Sequence, residues 1–305
     1  MNDLLEEILN DCRRYTKEGV LASYIPELAK ANANDFGVSV MTATDKIYAV
    51  GDCQVQFTMQ SIIKPMILLL ALLDTGADRV RELVGVEATG KPFDTFNYSD
   101  QALTGANINP MVNTGAIALC TLIKGESYLE KFSRLLELTK KLTGNPNMEI
   151  NQDVYFSEKA TGNKNRALAY MLKAYGMIHE DVEEVVDFYF RACSVKADCK
   201  DLANIAFVFS NHGKDMRTGE QLFPVEYARY VNAVLTTCGM YDGSGDFALK
   251  VGVPAKSGVG GGIMAVVPGR MGIGIYSPAL DEKGNSMAGR KALELLSQKL
   301  ELSIF

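Results

Sequence analysis

Histidine is nearly absent from this chain: two residues, His179 and His212, stand among 305. Neither lies near a candidate nucleophile, which argues against a Ser-His-Asp triad and leaves a lysine or a tyrosine to serve as base. The same scarcity disfavours a metal centre. Cys193 and Cys199 stand six apart with no second Cys or His pair to complete a tetrahedron, so neither metal nor cofactor is expected. The six cysteines, at 12, 53, 120, 193, 199 and 238, share no repeated spacing. They read as free buried thiols in a reducing compartment, not as a disulfide framework. An excess of positive charge is also missing. Against 37 Asp plus Glu there are 31 Lys plus Arg, a net charge of −6, which argues against a nucleic-acid partner or a basic membrane patch. The first residues, Met1 to Glu7, are acidic and amphipathic and lack the basic segment and apolar stretch of a signal peptide. The longest apolar run, around Pro65 to Leu73, is too short to span a bilayer. These absences point to a cytoplasmic protein. No internal repeat or low-complexity linker breaks the chain.

What is present is ordinary for a soluble enzyme: 47% apolar and 22% charged residues, in a chain long enough for one large core or two modest ones. Its most informative stretch is Ser61-Ile-Ile-Lys64 within Phe57 to Pro65. A serine hydroxyl is a poor nucleophile until a base takes its proton. If Ser61 opens a helix, Lys64 lies on the same face one turn later, within reach of the hydroxyl. The helix start also offers free N–H groups to developing negative charge. Ser-x-x-Lys is the nucleophile motif of serine β-lactamases and penicillin-binding proteins, and it arises often by chance. Lys256-Ser257-Gly258 strengthens it, because those enzymes pair the early serine with a late Lys-Thr/Ser-Gly on a strand lining the site. The glycines that follow, up to Gly262, let substrate approach the backbone, so that a main-chain N–H can face an oxyanion. A phosphate loop is the competing reading, but this one runs into a strand and not a helix.

Periodicity predicts an amphipathic helix over 3–17, a hairpin of strands 35–42 and 46–50, and the Ser61 helix. From 66 to 240 the pattern is largely helical, with clear 3.6 spacing in 129–142, 165–176, 181–191, 200–212 and 224–237. Strand character returns at 247–252, 259–267 and 271–276, and 285–300 closes as a helix. The expected fold is therefore α/β (α+β): an antiparallel sheet built from both termini (1–65 and 241–305), flanked by helices, with an all-helical insertion (66–240). The site should lie in the cleft between them. The segment Gly85 to Tyr98 has glycines, a proline and aromatics without helical period; a lid over 88–108 is expected, with a plain surface loop as the alternative reading.

Polar blocks in the helical part complete the reading. Asn109 to Ala116 carries Asn113, which alone would read as a helix cap. Ser157 to Arg166, with Glu158 and Asn165, reads as a polar loop. Phe188-Tyr189-Phe190 reads as a core stripe, and Cys238 to Gly245, with Tyr241, as a helix end and turn. These blocks, together with Tyr24 to Ala29, Gln60 to Pro65, Asp187 to Phe190, Pro254 to Val259 and Ser277 to Ser286, run in the order of the serine-dependent glutaminases, which the chain resembles over nearly its whole length. The resemblance implies a β-lactamase-like fold, a homodimer or homotetramer, and hydrolysis of L-glutamine to L-glutamate and ammonia. It implies Ser61 as nucleophile, Lys64 as base and Tyr241 as relay or source of the proton. The N–H groups of Ser61 and Val259 would form the oxyanion hole. Glu158 would pair the α-ammonium, and Asn113 and Asn165 would donate to the α-carboxylate. Tyr24 would bridge both ends of the substrate and Tyr189 would lie along the carboxamide. Lys64 must be neutral to act, through burial or a nearby cation such as Lys256, with Ser257 and Gly258 in support. A penicillin-binding or β-lactamase activity shares Ser61, Lys64 and Lys256 but belongs outside the cytoplasm. A non-catalytic amino-acid-binding protein is the third class.

Overall fold

The computed structural model describes residues 1–90 and 108–305. Helix α1 (Asn2–Cys12) runs on into a 3₁₀ turn over Arg13–Lys17. Strands β1 (Gly37–Thr42) and β2 (Ile47–Gly51) form the expected hairpin. The nucleophile segment follows: β3 (Phe57–Thr58), a 3₁₀ turn over Gln60–Ile63, and α2 (Lys64–Leu83), which is broken at Gly76, φ +82°. Helices α3 (Asn113–Cys120), α4 (Tyr128–Thr143), α5 (Gln152–Thr161), α6 (Asn163–Ala174) and α7 (Val182–Cys193) lead to the short β4 (Lys196–Ala197). Then come α8 (Cys199–Ser210), α9 (Val225–Cys238), α10 (Ser244–Lys250), β5 (Ala255–Ser257), β6 (Gly262–Val267), β7 (Met271–Tyr276) and α11 (Met287–Leu300).

The main sheet is antiparallel in the order β2-β1-β7-β6-β5, so both ends of the chain build it. Val38 stands opposite Ile275, which in turn stands opposite Ile263; Val40, Ile273 and Ala265 form the next row. These rows bury against α1, α10 and α11. Alternation sends Met41, Met264 and Val266 to the other face, against α8 and the helical body. There α8 lies directly on β7, because Gly272 and Gly274 present no side chain: a Cβ on either would overlap the α8 backbone. Lys256, opposite Met264 in register, points the same way, toward the helices.

Several boundaries differ from the sequence reading. The strand expected at 247–252 is α10, because Phe247 and Val251 are spaced by one helical turn and both are buried, while Leu249 is 86% exposed. The polar loop at 157–166 is helix on both sides of Gly162; Asn151 caps α5 by accepting from Val154 N–H. Its polarity reflects how little of α5 is buried. The β3–β4 pair, Phe57 with Ala197 and Thr58 with Lys196, carries too few residues for any periodicity. Gln60–Leu83 is long and apolar enough, by length and composition, to cross a bilayer, against the expectation that the run was too short. Most of its apolar residues are instead buried against α3, α4 and α9, with Leu73 exposed. The lid expected over 88–108 falls, except at its ends, outside the described residues.

Candidate active site

The site is assembled around two backbone conformations that side-chain-bearing residues rarely adopt. Gln60 has φ +49° and Tyr241 φ +56°; left-handed residues of this kind cost roughly 1–3 kcal/mol each and persist where surrounding contacts hold them. Gln60 follows the anchored segment of β3 and Met59, where Phe57 stacks on Tyr276 at 4.4 Å and Met59 N–H donates to Val195 O at 2.8 Å, and begins the turn that presents Ser61. Its buried side chain donates to Glu158 Oε1 at 2.8 Å and to Thr58 Oγ1 at 3.3 Å. Tyr241 is held by Ser244, whose Oγ donates to Tyr241 O at 2.8 Å and accepts from Met240 N–H at 3.0 Å. Its phenol interacts with the Ser61 side chain and the Val259 backbone; burial pushes its pKa up and these two contacts oppose the rise.

Ser61, Asn113, Glu158, Asn165 and Tyr189 line one cavity of about 400 Å³, with the 56%-exposed Tyr24 at its rim. Lys64 is fully buried beneath it, its Nζ donating to Met111 O at 3.0 Å and Asn113 Oδ1 at 2.7 Å. The same Asn113 oxygen accepts from the Tyr189 hydroxyl at 3.2 Å, and Asn113 Nδ2 donates to Asn165 Oδ1 at 2.9 Å. One amide thus orients a lysine, a tyrosine and a second amide. Lys256, also fully buried, donates to Ser257 O at 2.6 Å and Gly239 O at 3.1 Å, and its Nζ lies 4.4 Å from the centre of the Tyr241 ring. Burial first, and the nearby Lys64 second, hold its pKa well below the ordinary lysine value. Ser257 is buried on β5, and Gly258 turns the chain by donating to Gly262 O at 3.0 Å, where a Cβ would press on Met59 O. That turn places Val259 beside Tyr241.

Glu158 has the most consequential electrostatics. Burial pushes its carboxyl up from 4.5 to about 8, against the downward pull of the Gln60 hydrogen bond. A carboxyl so buried, in a cavity lined by amides and phenols, would be favoured in its ionised form by a cationic partner. The structure therefore brings together the residues singled out from sequence, and adds three. Gln60 and Cys193 line the cavity, and Met111 accepts from Lys64 through its carbonyl. A left-handed glutamine and a backbone carbonyl leave no trace in residue identity, and Cys193 reads as any buried thiol. Among the described residues no group of three or more His, Cys, Asp or Glu could hold a metal.

A family model described as Glutaminase matches residues 19–305. A glutaminase of Clostridium tetani is 50% identical over 305 residues, covering all of both chains. One from Clostridioides difficile is 50% identical over 302 residues, 99% of this chain and 98% of its own. Among solved structures, a probable glutaminase from Bacillus subtilis complexed with 6-diazo-5-oxo-L-norleucine is 37% identical, with a TM-score of 0.91 over 100% of this chain and 97% of that one. A Bacillus subtilis glutaminase in covalent complex with 5-oxo-L-norleucine, formed by reaction with the same diazo compound, is 36% identical, with a TM-score of 0.91 over 100% and 99%.

Proposed function

The chain belongs to the glutaminase family, and from that premise we propose that it hydrolyses L-glutamine to L-glutamate and ammonia through a Ser61 acyl-enzyme. The observation that carries the mechanism is that the Tyr241 phenol meets both the Ser61 side chain and the Val259 backbone, while Ser61 itself lines the Glu158 cavity. Glutamine enters with its α-ammonium toward Glu158. Its α-carboxylate takes N–H groups from Asn113 and Asn165; the bonds already drawn between them leave further donors on each amide. Tyr24, at the rim, bridges both ends of the substrate, and Tyr189 lies along the carboxamide.

Ser61 Oγ attacks the carboxamide carbon as its proton passes to Lys64, directly or by way of Tyr241. The role requires the neutral amine of Lys64. The carbonyl oxygen becomes an oxyanion facing the N–H groups of Ser61 and Val259. The proton is returned to the leaving nitrogen, ammonia departs, and water cleaves the γ-glutamyl ester by the same route in reverse. The covalent complex of the Bacillus subtilis glutaminase supports a nucleophile in this family. Ser61→Ala tests the assignment: ammonia release should fall by several orders of magnitude while glutamine still binds. Activity above about a tenth of wild type would place the nucleophile elsewhere.

We propose the larger frame as well: a β-lactamase-like sheet domain (1–65 and 241–305) and a helical domain (66–240), in a cytoplasmic homodimer or homotetramer. The apolar core under α1, α10 and α11, built from the two end segments but for Met240, supports the division, and six buried free cysteines support a reducing compartment. Sedimentation of the purified protein and fractionation of producing cells test the assembly and the location.

A further inference from the structure

We infer that Asp187 is a positioning residue: outside the cavity it ties α5 to α7, and so sets the spacing of Glu158 and Tyr189 within it. The inference rests on the reading of Glu158 as the ammonium receptor and extends it to a residue that touches no substrate.

Helix α5 is weakly held by apolar contacts. Its buried residues are Val154, Tyr155 and Glu158, and its other aromatic, Phe156, is 60% exposed. A ten-residue helix is marginal on its own, and a buried Glu158 carboxylate works against its docking. What crosses to α7 is a polar cluster around one carboxylate. Asp187 Oδ1 accepts from the Tyr155 hydroxyl at 2.5 Å and from Lys159 Nζ at 2.6 Å; Oδ2 accepts from Arg191 Nε at 2.7 Å. Lys159 and Arg191 also donate to the Tyr155 oxygen, at 3.2 and 3.0 Å, and the Arg191 guanidinium lies 4.5 Å from the Tyr155 ring centre. Burial alone would raise the Asp187 carboxyl; its three donors more than reverse that and hold it low.

Helical geometry converts this cluster into control of the cavity. Lys159 directly follows Glu158, and Tyr155 precedes it by one turn. Asp187 precedes Tyr189 by two residues, which places the two on nearly opposite sides of α7. The cluster thus closes the outer seam between the helices, and the cavity opens along the inner one. Exposed ion pairs usually contribute little; this one differs in converging three donors on one carboxylate beside the buried Tyr155.

The test compares Asp187→Asn with wild type, and repeats the comparison in a Glu158→Gln background. For glutamine, Asp187→Asn should raise KM about tenfold with kcat changed by about twofold or less. In the Glu158→Gln background it should add little, since the receptor it positions is already lost. Should Asp187→Asn fail to fold, Tyr155→Phe removes one donor, keeps the ring, and should show the same split at about threefold. An unchanged KM in the variant that folds, or a full additional loss in the Glu158→Gln background, overturns the tie. If Glu158→Gln itself leaves KM for glutamine unchanged, it is the ammonium reading that falls.

Discussion

At the scale of single residues, the Glu158 carboxyl faces two demands that oppose each other. In the folded, ligand-free protein its pKa is about 8 against an ordinary 4.5. The folded state therefore keeps a proton that the unfolded chain gives up across that window. Stability falls as pH rises from 4.5 and the loss is complete above about 8, on the order of several kcal/mol. Glu158→Gln should accordingly melt at a higher temperature than wild type, with the gap widening up to about pH 8 and constant beyond; a gap that does not depend on pH would count against it. Binding an ammonium needs the ionised form, so kcat/KM for glutamine should rise toward pH 8 more steeply in wild type than in the variant. N-acetyl-glutamine, which offers no ammonium, should be a poor substrate of wild type, by about 30-fold or more. Comparable kcat/KM for the two compounds would mean that Glu158 does not receive the α-ammonium. Tyr241 makes a second residue-level case. Its phenol interacts with the Ser61 side chain and burial keeps it protonated, so Tyr241→Phe should lose about 100-fold in turnover with KM little changed. Full turnover in that variant would leave Lys64 as the sole proton carrier.

At the scale of elements, contact distance governs what the sequence can disclose. The helices with a strong apolar stripe, such as α4, α7 and α9, are legible to within a few residues because their period is set by burial on one side. Helix α5 is not, since Val154 and Tyr155 are its only buried apolar side chains. The β3–β4 pair is not, since two residues carry no period. The site shows the same division. Ser61, Lys64, Glu158 and Lys256 are legible because their chemistry lies in the side-chain type and the order of their blocks. Gln60, which acts through a left-handed backbone, and Asp187, which acts through a neighbouring helix, are not. The seating of α8 on β7 gives a test at this scale. A Cβ at Gly274 would overlap Cys199 O, and α8 can yield only by leaving the sheet. Gly274→Ala should destabilise by about 1–3 kcal/mol, seen as a lower melting temperature, whereas Gly219→Ala, which meets no neighbouring atom but carries φ +75°, should cost only the backbone strain.

At the scale of the whole molecule, the pairing of β1 with β7, Gly37 opposite Tyr276, has a consequence for how the protein is made. Translation delivers the β1–β2 hairpin early, and β1 then has no partner on its inner edge until β7 has been synthesised. An unpaired edge invites association with other chains, and pairing between strands so distant in sequence is slow. A nascent chain arrested near residue 250 should therefore lack a protease-resistant sheet and should engage chaperones, becoming resistant only after β6 and β7 emerge. A stable fragment at that length would contradict this order. The serine is synthesised early and Val259, whose turn faces it, late. On the proposed mechanism, a chain that has not yet passed β7 therefore carries no complete site.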